Sequence, residues 1–257
     1  MLDSNYEDFK KNVLALTKID LNCYKEKQMR RRINTLITKN KLKSYDDYVK
    51  LIKTNTEKFE EFINFLTINV SEFYRNTDQW KLLDKEIFPK LVEGKRQIKI
   101  WSAACSTGDE PYSIAMALSN HTSLSNLKII ATDIDKQVLS QAKVGLYNSK
   151  SVSGVPDDMK RKYLTKVGAS YKVADEIKNC VEFKEHNLLK DPYPTDCDMI
   201  VCRNVVIYFT DEAKDEIYRK FYKSLKKGGY LFIGSTEQIM NYKDMGYLRH
   251  SSFFFEK

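Results

Sequence analysis

Glycine and proline are scarce in this chain. Its 257 residues include nine glycines and five prolines, and neither residue occurs within positions 1–70. Because these residues interrupt helices most strongly, their absence there is typical of a string of helices. With 42% apolar and 30% charged residues, the composition is that of a globular protein. Its length allows one large domain, or one domain plus a small one.

Cysteine and long apolar runs are limited too. The five cysteines have no C-x-x-C spacing, so we expect reduced thiols, no disulfide and no metal site. No apolar run reaches the roughly 18 residues that cross a bilayer. The first residues lack the basic and then apolar pattern of a secretion signal, so we expect a cytoplasmic protein. The net charge of +8 favours an acidic partner.

Two patterns divide the chain. Residues 1–70 show apolar side chains at helical spacing, as in Met29, Ile33 and Leu36, with Ser44 as the N-cap of a further helix. From about residue 97, short apolar runs alternate with predicted helices. The runs lie at 98–101, 128–132, 181–184, 199–202 and 230–234, and the helices at 112–118, 136–144 and 213–225. This alternation predicts an α/β fold with a mainly parallel sheet.

The boundaries follow from these patterns. We expect a small all-α N-terminal domain over residues 1–75 and an α/β domain over residues 76–257. Residues 146–180 fit the alternation poorly and predict a small antiparallel insertion lobe. The Lys-Lys-Gly-Gly at 226–229 is expected to end a helix before the fifth strand, and residues 247–255 to form a terminal hairpin.

Residues 98–116 carry the clearest functional signal. A short apolar strand runs through small residues and acids into an amphipathic helix. Small residues let the backbone approach a ligand closely, and amides at a helix N-terminus bind polar ligand groups. About 25 residues further on, the next apolar run ends in Asp133, whose carboxylate suits a ribose hydroxyl pair in the crevice of such a sheet. Together these segments predict a nucleoside-bearing cofactor.

The glycine pattern narrows the choice of cofactor. Gly108 is the only glycine in the first segment, and Ala103, Ala104 and Ser106 take the other small positions, so there is no G-x-G-x-x-G. A pyrophosphate cofactor requires several backbone amides that no side chain covers, so the lack of further glycines disfavours such a cofactor. S-adenosylmethionine has no phosphate, and its sulfonium and ammonium groups favour nearby acids. Glu110 is a candidate for this role, with a helix-start acid as the plainer alternative.

Five stretches resemble the CheR family over essentially the whole chain. They are Asn69-Val-Ser-Glu-Phe-Tyr-Arg75, Trp101-Ser-Ala-Ala-Cys-Ser-Thr-Gly-Asp-Glu-Pro-Tyr-Ser113, Ala131-Thr-Asp-Ile-Asp135, Asn187-Leu-Leu189 and Cys202-Arg-Asn-Val-Val-Ile-Tyr-Phe209. The family comprises S-adenosylmethionine-dependent protein-glutamate O-methyltransferases that act on chemoreceptors in chemotaxis signal transduction. The resemblance implies a Rossmann-like methyltransferase domain, glutamyl methyl esters as the product on the receptor, and S-adenosylhomocysteine as the by-product.

The resemblance also implies the roles of individual residues. The cofactor-binding positions are Asn69, Ser71, Arg75, Glu110, Asp133, Asn187, Leu188, Arg203 and Asn204. Arg75, Arg203 and Tyr208 are expected to orient the acceptor carboxylate. Plainer alternatives stay open for three of these residues: an ordinary interdomain arginine for Arg75, a turn acid for Asp133 and a buried aromatic for Tyr208.

A basic helix is the candidate docking surface. Residues 21–43 hold eight basic residues and one acid. Lys27 and Arg31 point away from the apolar stripe, and Arg30 and Arg32 flank it. The resemblance implies docking on the Glu-rich cytoplasmic helices of chemoreceptors. A solvated helix face is the plain alternative, and nucleic acid is the rival partner, because a basic stripe can also follow phosphates.

Two other functions are compatible with parts of the sequence. A nucleic-acid methyltransferase would fit the net positive charge of the chain. However, Cys202-Arg203-Asn204 is not followed by the Pro-Pro pair that is common in enzymes that methylate nucleobase amines. A non-catalytic sensor of S-adenosylmethionine would be expected to lack a group near the methyl, yet Arg75 and Tyr208 are both present. We therefore expect an enzyme, monomeric and not inserted in a membrane.

Overall fold

The computed structural model describes residues 5–257, which fall into two compact units. The first comprises the described residues up to Asn69 together with Ile207–Glu216, and the second comprises Val70–Val206 and Ile217–Lys257. Among the described residues, no helix combines the length and the apolar composition that a membrane crossing requires.

The first unit is helical, as the sequence predicts. Its helices are α1 (Tyr6–Thr17), α2 (Glu26–Lys39), α3 (Tyr45–Thr54) and α4 (Thr56–Thr67). Ser44 caps α3, since its hydroxyl accepts the Asp47 N–H at 3.1 Å, which confirms the predicted N-cap. The aromatic rings of Phe9, Tyr48 and Phe62 are fully buried, and they pack edge to face with Phe62 between the other two.

A short segment after residue 206 completes the first unit. Tyr24 and Phe209 form a β-bridge, and their rings pack with centroids 4.8 Å apart. The backbone N–H of Lys25 donates to the carbonyl oxygen of Tyr208 at 2.9 Å. These contacts fix Tyr208 beside the start of α2.

The second unit is built on a seven-stranded sheet. The strands of the unit are β1 (Ile98–Ala103), β2 (Leu127–Asp133), β3 (Leu146–Asn148), β4 (Leu164–Val167), β5 (Ser170–Val173), β6 (Val181–Glu185), β7 (Cys197–Cys202), β8 (Leu225–Ile233), β9 (Leu248–Arg249) and β10 (Phe254–Glu256). The large sheet has the order β6-β2-β1-β7-β8-β10-β9. Its first five strands are parallel, and β10 pairs antiparallel with β8 and β9. The predicted terminal hairpin is therefore confirmed.

The remaining helices are α5 (Thr77–Leu82), α6 (Phe88–Val92), α7 (Asp109–Leu118), α8 (Lys136–Val144), α9 (Asp157–Tyr163), α10 (Asp175–Lys178) and α11 (Asp211–Ser224), whose first residues belong to the first unit. Helices α5 and α6 precede β1, α9 and α10 lie within residues 146–180, and α7, α8 and α11 follow the parallel strands β1, β2 and β7. Asp135 caps α8 by accepting the Gln137 N–H at 2.9 Å. Every residue of β7 is buried, as expected for a central parallel strand.

One local prediction was wrong. Helix α11 ends at Ser224, and the Lys-Lys-Gly-Gly at 226–229 lies inside β8 rather than at a helix end. Cys197 pairs with Leu225, but Met199 pairs with Tyr230, so β8 makes an excursion between the two pairs. Gly228 has a φ of +74°, which permits this detour, because glycine adopts the left-handed region without steric cost.

Residues 146–180 contain a separate three-stranded sheet with the order β3-β5-β4. Both of its pairings are antiparallel. Strands β4 and β5 are joined by a tight turn in which Gly168 has a φ of +59°. Because β4 and β5 are antiparallel, a short turn suffices to connect them, whereas the longer connection from β3 to β4 contains α9.

Candidate active site

The candidate site lies at the carboxyl ends of the central parallel strands. Strand β1 lies between β2 and β7, so the loops that follow these three strands are neighbours. The loop after β1 is tightly wound, with positive φ at Ala104, Ser106 and Gly108. A Cβ on Gly108 would lie 2.8 Å from the Cβ of Ala142, so glycine is required there. The small residues therefore let this loop fold closely over the sheet edge.

Asp133 fixes that loop to the end of β2. Its carboxylate accepts the backbone N–H of Ser106 at 2.8 Å and that of Asp135 at 3.0 Å. Burial raises the pKa of Asp133 to about 6, although these two N–H groups oppose the shift. Asp133 therefore stabilises a turn, which is the plainer alternative that the sequence leaves open for it. It also leaves lone pairs for ligand hydroxyls, because each carboxylate oxygen can accept two hydrogen bonds.

Glu110 lies beside the guanidinium of Arg203. Glu110 is in the first turn of α7, and its Oε1 accepts the Ser102 hydroxyl at 2.7 Å. Its Oε2 lies 3.6 Å from Nη1 of Arg203. Burial raises the pKa of Glu110, and the positive charge of Arg203 opposes this shift. A carboxylate held by a hydroxyl and a guanidinium can contact a further cationic group.

The guanidinium of Arg203 is held in place by hydrogen bonds to other residues of the second unit. Its Nη2 donates to the Arg75 carbonyl oxygen at 2.8 Å, to Asn76 Oδ1 at 2.9 Å and to Gln79 Oε1 at 2.8 Å. The guanidinium carbon also lies 4.5 Å from the ring centroid of Phe232. This arginine therefore ties the segment before and within α5 to the end of β7. Its Nη1 faces Glu110, and its Nε is a buried donor with no hydrogen-bond partner among the described residues.

Arg75 and Ser71 lie in the segment that leads into α5. Arg75 is half-buried and donates from Nη1 to the Val70 carbonyl oxygen at 3.2 Å. Its charge acts on both Glu110 and Arg203, lowering the pKa of each. Ser71 hydrogen-bonds the carboxylate of Asp109, whose pKa is raised by burial and lowered by this contact.

The loops after β6 and β7 supply the remaining predicted residues of the second unit. Asn187 Oδ1 accepts the Leu189 N–H at 2.9 Å, so this amide shapes its own turn. The side chain of Leu188 is buried. Asn204 has a φ of +60°, a left-handed conformation that asparagine tolerates better than most residues. The sequence-predicted residues of the second unit thus fall on the loops after the parallel strands and on the segment before α5.

Three further residues contribute to the site and are not predicted from the sequence. Asp109, in the first turn of α7, is fully buried and accepts the Thr107 hydroxyl at 2.6 Å. Gln79 is buried against Arg203, and the buried Glu237 lies beside the loop after β7. No periodicity marks Gln79 or Glu237, because their importance depends on neighbours more than 30 residues away in sequence.

The site suits a ligand with positive charge and several hydrogen-bonding groups. Its carboxylates, the buried Asp109 and Asp133 and the mostly buried Glu110, outnumber the one buried guanidinium of Arg203. Within residues 5–257, the buried polar atoms that have no hydrogen-bond partner include several in these loops. Among them are Ser106 Oγ, Asp109 Oδ1, Arg203 Nε and Asn204 Oδ1. Unpartnered buried polar atoms are costly, so these groups fit the polar parts of S-adenosylmethionine. In the described part of the chain, no group of three or more His, Cys, Asp or Glu residues could hold a metal ion.

Asn69, Tyr208 and the basic helix belong to the first unit. A groove of about 1030 Å³ runs along α2, lined by residues of that helix. Lys27 and Arg31 are exposed on α2, as the sequence predicts. Arg30 lies 5.0 Å from the ring centroid of Tyr6, whereas Arg32 lies over Phe65 and donates to its carbonyl oxygen. The two flanking arginines are therefore engaged within the unit.

A mainly parallel sheet with an antiparallel terminal hairpin, and acids in the loops at its carboxyl edge, define the class of S-adenosylmethionine-dependent methyltransferases. Comparison with known protein families identifies the family within this class. The description "CheR methyltransferase, SAM binding domain" matches residues 69–254, and "CheR methyltransferase, all-alpha domain" matches residues 4–67. The chain belongs to the CheR methyltransferase family.

Similar proteins extend over the same length. A "Chemotaxis protein methyltransferase" of Listeria innocua is 39% identical over 257 residues, covering 100% of this chain and 98% of that protein. Proteins with corresponding names from Pseudomonas aeruginosa and Borreliella burgdorferi are 34% and 32% identical. The first alignment covers 94% of this chain and 93% of that protein, and the second 91% and 88%. The predicted family, the fold class and S-adenosylmethionine-dependent methyl transfer are thereby confirmed.

Proposed function

We propose that this chain transfers the methyl group of S-adenosylmethionine to glutamate side chains of chemoreceptors, forming glutamyl methyl esters and S-adenosylhomocysteine. The observation that carries the proposal is the buried pairing of Arg203 with Glu110 at the carboxyl edge of the sheet, in a member of the CheR family. The names of the similar proteins, chemotaxis protein methyltransferases, support a receptor as the substrate.

The cofactor would be held by residues of the second unit. Glu110 and Asp133 offer carboxylates to its ammonium group and ribose hydroxyls. Asn187 and Asn204 supply amides, and Leu188 an apolar contact for the adenine ring. Bound S-adenosylmethionine supplies a methyl group activated by its sulfonium. Its sulfonium and ammonium groups, together with its own carboxylate, leave the cofactor with a net positive charge, which partly offsets the carboxylates of the site and favours binding.

Methyl transfer needs positioning rather than a strong base. A glutamate side chain has a pKa of about 4.3, so the acceptor is already ionised at neutral pH. Arg75 is half-buried, and the Nη1 and Nε of Arg203 are not bonded to carbonyl or amide oxygens. We propose that these groups orient the acceptor carboxylate, and that burial excludes water from it. The roles of Asn69, Ser71 and Tyr208 stay predictions from the family resemblance.

Receptor docking would use the exposed basic face of α2. Lys27 and Arg31 extend from that face beside the groove, and a Glu-rich helix carries the complementary charge. Arg30 and Arg32 are engaged with Tyr6 and Phe65, so we expect them to contribute mostly through the shape and the net charge of the surface.

The remaining parts of the proposal concern organisation. We propose that the helices within residues 1–75 serve docking and that residues 76–257, together with Asn69, Ser71 and Arg75, carry cofactor binding and catalysis, with 146–180 as an accessory lobe. We also propose that the enzyme is a cytoplasmic monomer that needs no metal ion and does not bind nucleic acid. Activity that is unchanged by chelators, and a mass in solution equal to one chain, are the expected results.

One experiment tests the proposed reaction. The protein is incubated with methyl-labelled S-adenosylmethionine and either receptor cytoplasmic fragments or RNA, and the products are then treated with mild base. We expect label on the receptor fragment that mild base releases, because carboxylate esters hydrolyse readily. Stable label on RNA would indicate a nucleic-acid methyltransferase instead. Cofactor binding without any transfer would indicate a sensor.

A further inference from the structure

A buried carboxylate with no part in the reaction described so far joins two loops of the site. Glu237 follows β8 and is 3% exposed. Its Oε1 accepts the backbone N–H of Val205 at 3.0 Å and that of Val206 at 3.1 Å, and its Oε2 accepts the Gly234 N–H at 2.6 Å. The carboxylate therefore links the loop after β7 to the loop after β8 within the second unit.

We propose that Glu237 is a positioning residue for methyl transfer, which holds Arg203 and Asn204 in the geometry that the reaction requires. The inference rests on the proposed placement of the cofactor beside these two residues. Glu237 touches neither the cofactor nor the acceptor in this proposal. It acts through the backbone of residues 204–206, which immediately follow the arginine.

The hydrogen-bonding pattern supports this role. A buried carboxylate is costly unless its lone pairs are satisfied. Burial raises the pKa of Glu237, and the backbone N–H groups of Asn204, Val205, Val206 and Gly234 oppose the shift. Three of these donors belong to the consecutive residues 204–206 at a left-handed turn, where Asn204 has a φ of +60°, and the fourth belongs to the loop after β8. A single anion thus stabilises a backbone conformation that few residues other than glycine adopt.

The packing around Gly234 shows how closely the two loops approach. A Cβ at this position would lie 2.7 Å from Glu237 Oε2, 2.8 Å from the Asn204 backbone nitrogen and 3.1 Å from the Asn204 side-chain nitrogen. Glycine is needed here for close approach. An alanine would push the carboxylate and Asn204 apart without touching Arg203 directly.

The charge of Glu237 also bears on Arg203. The negative charges of Glu110 and Glu237 both act on the guanidinium and raise its pKa, whereas burial lowers it. The buried arginine is thus compensated by two carboxylates in different loops. Replacing one of them by a neutral group changes the electrostatic environment of the arginine as well as its position.

The test compares E237Q with a matched control, D198N. Asp198 is fully buried at the amino end of β7, where its carboxylate accepts the Lys99 N–H at 2.8 Å and pairs with Lys95 Nζ at 2.9 Å. Both variants replace a buried carboxylate by an amide of equal size. In E237Q an NH2 group, which cannot accept a hydrogen bond, replaces one carboxylate oxygen. This group must face a backbone N–H of one of the two loops, so one link between the loops is lost.

Three readouts separate positioning from stability. They are the Kd for S-adenosylhomocysteine by calorimetry, kcat on a receptor fragment, and the Tm. At a temperature well below the Tm of the variant, we expect E237Q to raise the Kd for S-adenosylhomocysteine and to lower kcat, each by roughly tenfold or more. The reason is that hydrogen bonds to a charged group are lost. D198N should lower the Tm but keep Kd and kcat within about twofold of wild type.

Two outcomes are decisive. If folded E237Q matches D198N in both Kd and kcat, the positioning role is wrong. If E237Q does not fold, G234A carries the test: it should change Kd and kcat in the same direction, and wild-type values in G234A would overturn the inference. Failure of the wild-type protein to bind S-adenosylhomocysteine or to methylate the fragment would refute the proposed function instead.

Discussion

Arg203 and Glu110 form a buried ion pair across the site, with Nη1 and Oε2 3.6 Å apart and the side chains 2% and 13% exposed. Arg203 follows β7 and Glu110 begins α7, so the pair connects two loops at the sheet edge. Buried ion pairs add little net stability, because desolvation offsets their attraction. We therefore propose that the pair serves the reaction as well as the fold.

Replacing Arg203 by lysine should strongly reduce activity. Lysine keeps the charge, but it cannot replace the planar Nη2 group that reaches Arg75, Asn76 and Gln79. We expect kcat/KM to fall by roughly a hundredfold, equivalent to about 3 kcal/mol. Steady-state methylation of receptor fragments measures this loss. The control is Arg161→Lys at an exposed position of α9, and equal activity of the two variants would contradict the prediction.

Removing Arg75 and the hydroxyl of Tyr208 tests the roles implied by the family resemblance. We expect Arg75→Ala to raise the Kd for S-adenosylhomocysteine and to lower kcat, since its charge acts on Glu110 and Arg203. Tyr208→Phe should lower kcat by roughly tenfold with little change in Kd, because a single hydrogen bond to the reacting groups is lost. Calorimetry and turnover measurements separate the two effects, and wild-type turnover in both variants would remove both assignments.

Reversing the charge of the exposed basic face should weaken receptor recognition alone. Lys27→Glu with Arg31→Glu converts two exposed cations of α2 to anions. We expect KM for a receptor fragment to rise by roughly tenfold, and the effect to shrink at high salt, where surface charges are screened. Affinity for S-adenosylhomocysteine should stay unchanged. Lys50→Glu, an exposed position on α3, is the matched control, and an equal rise of KM there would leave α2 without a special role.

The stability of the ligand-free protein should depend on Asp133. Burial raises the pKa of this carboxyl from its usual value of about 4 to about 6, so folding favours the protonated form. The stabilisation from the protonated form is complete below about pH 4 and is lost as the pH rises through about 6. The expected loss from this residue is about 3 kcal/mol. Urea unfolding at pH 4, 5, 6 and 7 measures it.

The variant Asp133→Asn provides the comparison for that pH profile. Its side chain does not titrate, so the difference between the wild-type and variant curves isolates the carboxyl group. The two free energies of unfolding should diverge between pH 4 and 7. Parallel curves would show that Asp133 has the same pKa in the folded and unfolded chains.

Local signals in the sequence predicted much of the fold. Apolar runs located the central strands to within a few residues, because parallel strands covered on both faces need continuous apolar sequence. Ser44 was recognisable as an N-cap, since a cap bonds to amides two or three residues away, and Asp135 caps α8 in the same way. The Lys-Lys-Gly-Gly at 226–229 was misassigned, because a glycine pair permits a helix end and a strand excursion equally well.

The sequence by itself determined the order of helices and strands, the family, and the positions where acids and arginines follow the strands. Only the tertiary structure decided which hydrogen bonds those side chains make. Arg203 bonds to Gln79 across 124 residues of chain, and Glu237 bonds to Val205 across 32. Such partners meet because parallel strands bring distant segments to one edge of a sheet, and a side chain carries no local mark of the neighbour it will meet there.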